Sequence, residues 1–201
     1  EEFVAVQRGL PDLAQGVGHL HHPAAHMLRH LRTHGAPIPV STGPWSPSRK
    51  AAAVQRGPHQ SAKDHTTFVR EEFVDFLHKK FWTILPYRLV QGLPNLRLSP
   101  LGVVPQRERR PRVIVDLSFH NVNQECLPVA PMEAMQFGRT LHRVLQRILA
   151  AHPLFGPVYL SKIDIADGFY RIQLAPRDIP RLGVLLPWTP GEEPMVAFPL
   201  T

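Results

Sequence analysis

Leu160–Ile172 reads LSKIDIADGFYRI, and this stretch decides the class of fold. Val158 to Ile165 is rich in β-forming residues and predicts a strand. Asp164 lies inside it, between Ile163 and Ile165. A carboxylate buried there is costly unless it meets a cation, a metal or several donors. Asp167 and Gly168 then supply a turn, and Phe169 and Tyr170 return the chain to an apolar pattern. An acid near a strand end beside a tight turn suits Mg²⁺, which takes one or two carboxylates plus phosphate oxygens. A hydrogen-bonded turn former is the plainer reading of the same aspartate. An EF-hand loop fails, because Asp164, Ala166 and Gly168 do not give acids at alternate positions before the glycine.

Working outward, Met132 to Ala151 predicts a helix with Leu141, Val144, Leu145 and Ile148 on one side and Pro153 after it. Leu101–Pro105 and Val113–Leu117 read as short strands, and the polar run Gln106–Pro111 (QRERRP) between them can close a hairpin. Val69, Phe73, Phe76, Leu77 and Phe81 follow at helical spacing, with Asp64 or Thr66 as cap and Pro86 as stop. Pro23 to His34 predicts one short helix, ended by Gly35 and Pro37. From Ala36 to Gln60 the turn dipeptides Gly43-Pro44, Ser46-Pro47 and Gly57-Pro58 predict an extended, weakly packed stretch. Strands and helices mixed in this order predict an α+β fold. Two regions are expected: a loosely ordered His- and Pro-rich arm over residues 1–65, and an ordered part over 66–201.

Composition bounds the function. The 201 residues carry 23 Lys+Arg against 16 Asp+Glu, a net charge of +7, which favours a polyanionic partner such as nucleic acid or nucleotide. Proline, 22 residues or about 11%, is twice its usual share and implies many short elements. Cys126 is alone, so there is no disulfide framework, and it reads as a small buried hydrophobe. No apolar run is long enough to span a bilayer and no secretory leader opens the chain, so no membrane partner and a reducing, intracellular setting are expected. A start at Glu1 and an end at Thr201 within an apolar run read as a fragment at both ends.

The motif around Asp164 resembles the first catalytic motif of reverse transcriptases, an Asp followed after four residues by an aromatic. Upstream, Ser99–Pro105 (SPLGVVP), the basic tip and Arg112–Asn123 (RVIVDLSFHNVN) resemble the fingers hairpin of the same enzymes. Downstream, Arg177–Arg181 (RDIPR) resembles the helix start after the motif in gypsy-like retroelements. The wording of Val104–Pro111 and Ala134–Gly138 resembles retroelement polyproteins of the tyrosine-recombinase (DIRS-like) kind. Three blocks in the right order over residues 66–201 imply a partial right-hand polymerase fold, with a fingers hairpin and an incomplete palm sheet.

What the resemblance implies can be carried over residue by residue. Asp164 matches the catalytic, metal-binding aspartate, and the Ile165 carbonyl faces a second metal. Two Mg²⁺ ions, or Mn²⁺ in their place, would favour attack of a primer 3′-hydroxyl on the α-phosphate of a dNTP and stabilise the leaving pyrophosphate. Asp167 and Gly168 match the turn whose backbone N–H groups cradle the triphosphate. Phe169 matches the steric gate against a 2′-hydroxyl, where RNA-copying RNA polymerases typically carry a second Asp; the ring implies DNA synthesis. Arg112 matches the fingers arginine over the incoming nucleotide, able to stack on a base and fork to phosphate together. Arg110, with Arg107 and Arg109, supplies the basic contact of the tip. Asp116 reads as a salt-bridge or turn partner, and Asn123 as the end of a strand. The implied partners are an RNA or DNA template-primer and dNTPs.

The family's other two catalytic acids occupy an aromatic-x-Asp-Asp motif, and no two aspartates are adjacent in this sequence. By itself this chain is therefore expected to be inactive, with activity in an intact polypeptide. The alternative is a truncated or domesticated remnant acting only as a basic nucleic-acid-binding module; an unrelated basic α+β domain is the remaining reading. His22, His26, His30 and His34 recur every four residues. They read chiefly as a polar helix face that gains charge below pH of about 6.5, with zinc as the sharper alternative.

Overall fold

The computed structural model describes residues 25–128, 137–152, 154, 156–161 and 167–201. Their elements in chain order are α1 (Ala25–His34), α2 (Pro47–Arg56), α3 (Gln60–Asp64), α4 (Thr66–His78), β1 (Trp82–Pro86), α5 (Tyr87–Val90), β2 (Leu98–Gln106), β3 (Arg109–Val115), α6 (Val122–Glu125) and α7 (Phe137–Leu149). Short 3₁₀ turns at Gly168–Arg171 and Pro176–Leu182 precede β4 (Gly183–Leu185) and β5 (Met195–Pro199). The fold is α+β, as expected. Two compact units divide the chain: Glu1–Leu127 with Phe169–Thr201, and Pro128–Gly168. Among the described residues no helix is long and apolar enough to cross a membrane.

The first unit holds a five-stranded mixed sheet ordered β1-β5-β4-β2-β3. The expected hairpin is present. Leu101 pairs with Val115 and Val103 with Val113, and a register shift between Val104 and Gln106 leaves Arg107-Glu108 as the tip. Beyond the short parallel pairing of β2 with β4, the free edge of β2 is taken over by the 59–61 segment. His59 N–H donates to the Leu101 carbonyl at 2.8 Å, and Val103 N–H to the Ser61 hydroxyl at 3.1 Å. A buried strand edge is thereby satisfied without another strand.

Two apolar clusters flank the sheet. Val69 and Phe73 of α4 pack with Trp82, Leu101, Val103, Val184 and Ala197. Trp45 and Ala53 pack with Leu96, Leu98, Leu185, Val196 and Phe198. Full burial of each large side chain contributes roughly 1.5–3 kcal/mol.

The expectation of a weakly packed stretch over 36–60 is corrected. Residues 36–40 are extended, but they are strapped down. Ala36 bridges Leu174, Val40 bridges Cys126, and Ile38 N–H donates to the Asp178 carboxylate at 3.0 Å. Gly35 starts this strap at φ +79°, and a side chain there would meet the Leu174 backbone at 2.4 Å. From Pro47 the chain is helical, capped by Ser46, with Trp45, Ala53 and Ala62 buried. A loosely ordered arm reaching residue 65 is thus not what residues 36–64 form. The turn dipeptides mark the ends of packed elements.

The N-cap position of the α4 helix is His65, not Asp64 or Thr66, and the helix stops well before Pro86. Lys80 takes φ +59°, Phe81 N–H bonds the Phe76 carbonyl at 2.9 Å and Lys80 N–H the Leu77 carbonyl at 3.0 Å. This is a Schellman stop with lysine where glycine is usual. Phe81 therefore belongs to the stop, and Trp82–Pro86 is a strand. Asn123 lies in the one-turn helix α6, not at a strand end. Cys126 is half-buried beside the second cluster, and burial pushes its thiol pKa up.

In the second unit, α7 covers Phe137–Leu149 of the helix expected over 132–151; residues 129–136 lie outside the described residues. Val158–Ser161 carry no regular structure, and residues 162–166 lie outside the described residues. The described part of the expected 158–165 strand is exposed at Tyr159 and Leu160.

Candidate functional site

The arginine-bearing hairpin is the described part of the expected site within the first unit. Val113 and Val115 pack inward against the α4 cluster, so Arg112 and Ile114, which alternate with them, stand on the outer face; both are exposed. Arg112 is paired across the ladder with Val104. Arg107, Arg109 and Arg112 have no acidic partner among the described residues, leaving three guanidiniums to meet an anion. Arg110 is different. Its Nη2 lies 2.8 Å from Glu72 Oε2 of α4, and its guanidinium sits 5.3 Å from the Phe68 ring. The register shift lets Arg110 reach back to α4 while Arg112 faces outward. Four arginines at the tip therefore do two jobs: one fastens the hairpin to α4, and three are open.

Asp116 behaves as the sequence implied. Burial works against its charge, but hydrogen bonds from Phe119 N–H, His59 and Ser118 N–H outweigh burial and hold its pKa below the usual range. His59 links Asp116 (3.1 Å) to Arg56 (3.0 Å). Arg56 can only donate, so His59 Nδ1 accepts and Nε2–H donates to Asp116. Arg56 also lies 4.3 Å over the Phe119 ring. The outcome is a braced turn below β3.

Sequence reasoning missed a buried ion cluster centred on Glu125. The Glu125 carboxylate receives Arg97 Nε at 2.6 Å, Trp45 Nε1 at 3.0 Å and Arg49 Nη1 at 2.7 Å. Burial pushes its pKa up, yet these donors, with Thr42, bring it down to about 2. Arg97 is 1% exposed and also reaches the Thr42 hydroxyl at 3.0 Å. No local signal marks this cluster, since Trp45 and Glu125 are 80 residues apart. Similarly, the block resembling a helix start forms a clamp: Asp178 holds Arg181 at 2.7 Å and Ile38 N–H.

Asp164 and Ile165, the catalytic and metal-binding residues implied by the resemblance, lie outside the described residues. Asp167 is exposed and takes φ +53°, so the aspartate and not Gly168 adopts the left-handed conformation of the turn. Gly168 and Phe169 open the 3₁₀ turn. Tyr170, which belongs to the first unit, stacks on Phe81 with centroids 4.3 Å apart.

Whether these acids suit Mg²⁺ can be tested on their partners. Asp116, Glu125 and Asp178 are all committed to protein donors, and among the described residues no three His, Cys, Asp or Glu side chains gather into a metal-holding group. Those three carboxylates are therefore not free to hold Mg²⁺. A groove of about 510 Å³ lined by Val69, Phe73, Leu77, Ile84, Leu186 and Trp188 contains none of the expected site residues. No family model, curated protein or solved structure matches this chain.

Proposed function

We propose that this chain is the fingers and first palm segment of an RNA-directed DNA polymerase, which in an intact polypeptide joins dNTPs to a primer on an RNA template. One observation carries the reading: the sequence block resembling a fingers hairpin forms an antiparallel hairpin, with Arg107, Arg109 and Arg112 exposed and without acidic partners among the described residues. Such a surface attracts phosphate, and the net charge of +7 adds a long-range pull. In this reading Arg112 contacts the incoming nucleotide. Asp167 and Gly168 offer backbone N–H groups to its phosphates, and Phe169 lies under its sugar. Asp164 is the first carboxylate for Mg²⁺, and further acids must come from sequence that this chain lacks.

The absence of adjacent aspartates favours a second reading for the chain by itself, binding of nucleic acid without catalysis. The two are separated by salt titration and primer extension together. Phosphate-dominated binding falls steeply with salt in either case. Only the polymerase reading expects extension once the reading frame is continued through a double-aspartate hairpin.

A further prediction concerns substrate choice. In that extended polypeptide Phe169→Ala should raise ribonucleotide use relative to dNTP use by about a hundredfold, because the barrier to a 2′-hydroxyl is a steric clash. Competing rATP and dATP incorporation on one primed template measures this. An unchanged ratio would remove Phe169 from the gate role.

A further inference from the structure

The surface of α1 carries a histidine pair that neither the hairpin nor the proposed reaction uses. His30 and His34 are one turn apart and exposed, their rings stacked at 27° with centroids 4.5 Å apart. His34 Nδ1 lies 3.2 Å from the His30 carbonyl. A carbonyl oxygen only accepts, so Nδ1 carries the proton and Nε2 keeps its lone pair. This tautomer is the one metal-binding histidines adopt, with the far ring N–H anchored on a carbonyl.

Reach is also adequate. Nitrogens bound at about 2.1 Å to a tetrahedral ion lie roughly 3.4 Å apart, a span within reach of side chains one helical turn apart once the exposed rings turn out of their stack. The pair stands at the C-terminal end of α1, where the partial negative charge of the helix favours a cation. Opposing it are Arg29 and Arg32, and α1 contains no acid.

We infer that His30 and His34 form a two-imidazole chelate for a borderline divalent transition ion of the Zn²⁺ or Cu²⁺ type, with the remaining positions open to water or an anionic oxygen. Because of the arginines and the incomplete ligand set, it is a site of moderate affinity. Hard ions such as Mg²⁺, which prefer oxygen, are excluded from it.

The test is titration of the full chain, stripped with chelator, with Zn²⁺ at neutral pH by calorimetry. His30→Asn and His34→Asn should each weaken the strongest site at least tenfold. His59→Asn, at a ring whose nitrogens are already engaged by Arg56 and Asp116, should leave it unchanged. Cu²⁺ bound at one equivalent should show two coordinating imidazole nitrogens by electron paramagnetic resonance. Wild-type affinity in both the His30 and His34 variants, or a single coordinated nitrogen, would overturn the inference. The His30 and His34 side chains are exposed, so circular dichroism should show both of their variants folded as wild type.

Discussion

Glu125→Ala should destabilise the first unit by about 3–5 kcal/mol, the range found when one partner of a buried ion pair is removed. The Arg97 guanidinium is 1% exposed, and its Nε would lose the carboxylate it meets at 2.6 Å. Trp45 Nε1 would lose its acceptor as well. What remains for Arg97 is Thr42 and the Gly43 carbonyl, neither of which carries charge. Urea unfolding followed by Trp fluorescence measures the loss. Replacing both partners, Arg97→Met with Glu125→Leu, should recover much of it, because a buried pair is often no better than apolar packing.

The same carboxylate gives a pH signature with a defined sign. Its pKa is about 2 in the folded chain against an ordinary 4.5, so folding favours the deprotonated form. This contribution is fully present above pH 4.5 and is lost as pH falls from 4.5 through 2. Wild type should therefore lose stability over that window, and Glu125→Ala should lack that component. An equal acid slope in both proteins would show that Glu125 is not the group responsible.

The second large effect concerns Asp164→Asn in a polypeptide extended through the double-aspartate hairpin. Changing a residue behind a metal ligand already costs 10–100-fold. Removing the charge of a direct ligand should cost more, about a thousandfold in extension rate, or about 4 kcal/mol of transition-state stabilisation. Primer and template binding should change little, because the arginines of the hairpin and the basic surface supply that attraction. A loss of binding in parallel with a loss of rate would point to misfolding of the segment.

How legible was this in the sequence? The hairpin was, because two short β-rich runs, Leu101–Pro105 and Val113–Leu117, around a polar tip are a local signal. Asp116 was too, since its turn partners Ser118 and Phe119 lie two and three residues away. The end of α4 was not: its stop uses Lys80 at positive φ, and nothing in a lysine announces that. Nor was the packing of residues 36–64, whose partners Glu125, Leu174 and Asp178 come far later in the chain. Local periodicity sees faces and turns, while a strap or a buried ion cluster is decided by which distant segment arrives beside it. The expected site divides along the same line. Its hairpin is an ordinary local motif, but the distinct jobs of Arg110 and Arg112 depend on Glu72 and a register shift that sequence spacing does not carry.

The polymerase reading is tested most directly by pyrophosphate release from a primed RNA template, with dNTPs and Mg²⁺, catalysed by the polypeptide extended through the double-aspartate hairpin. One pyrophosphate per added deoxynucleotide is expected, in template order, with the signal abolished by Asp164→Asn. No release by the folded wild-type polypeptide, or release unchanged by Asp164→Asn, would contradict it.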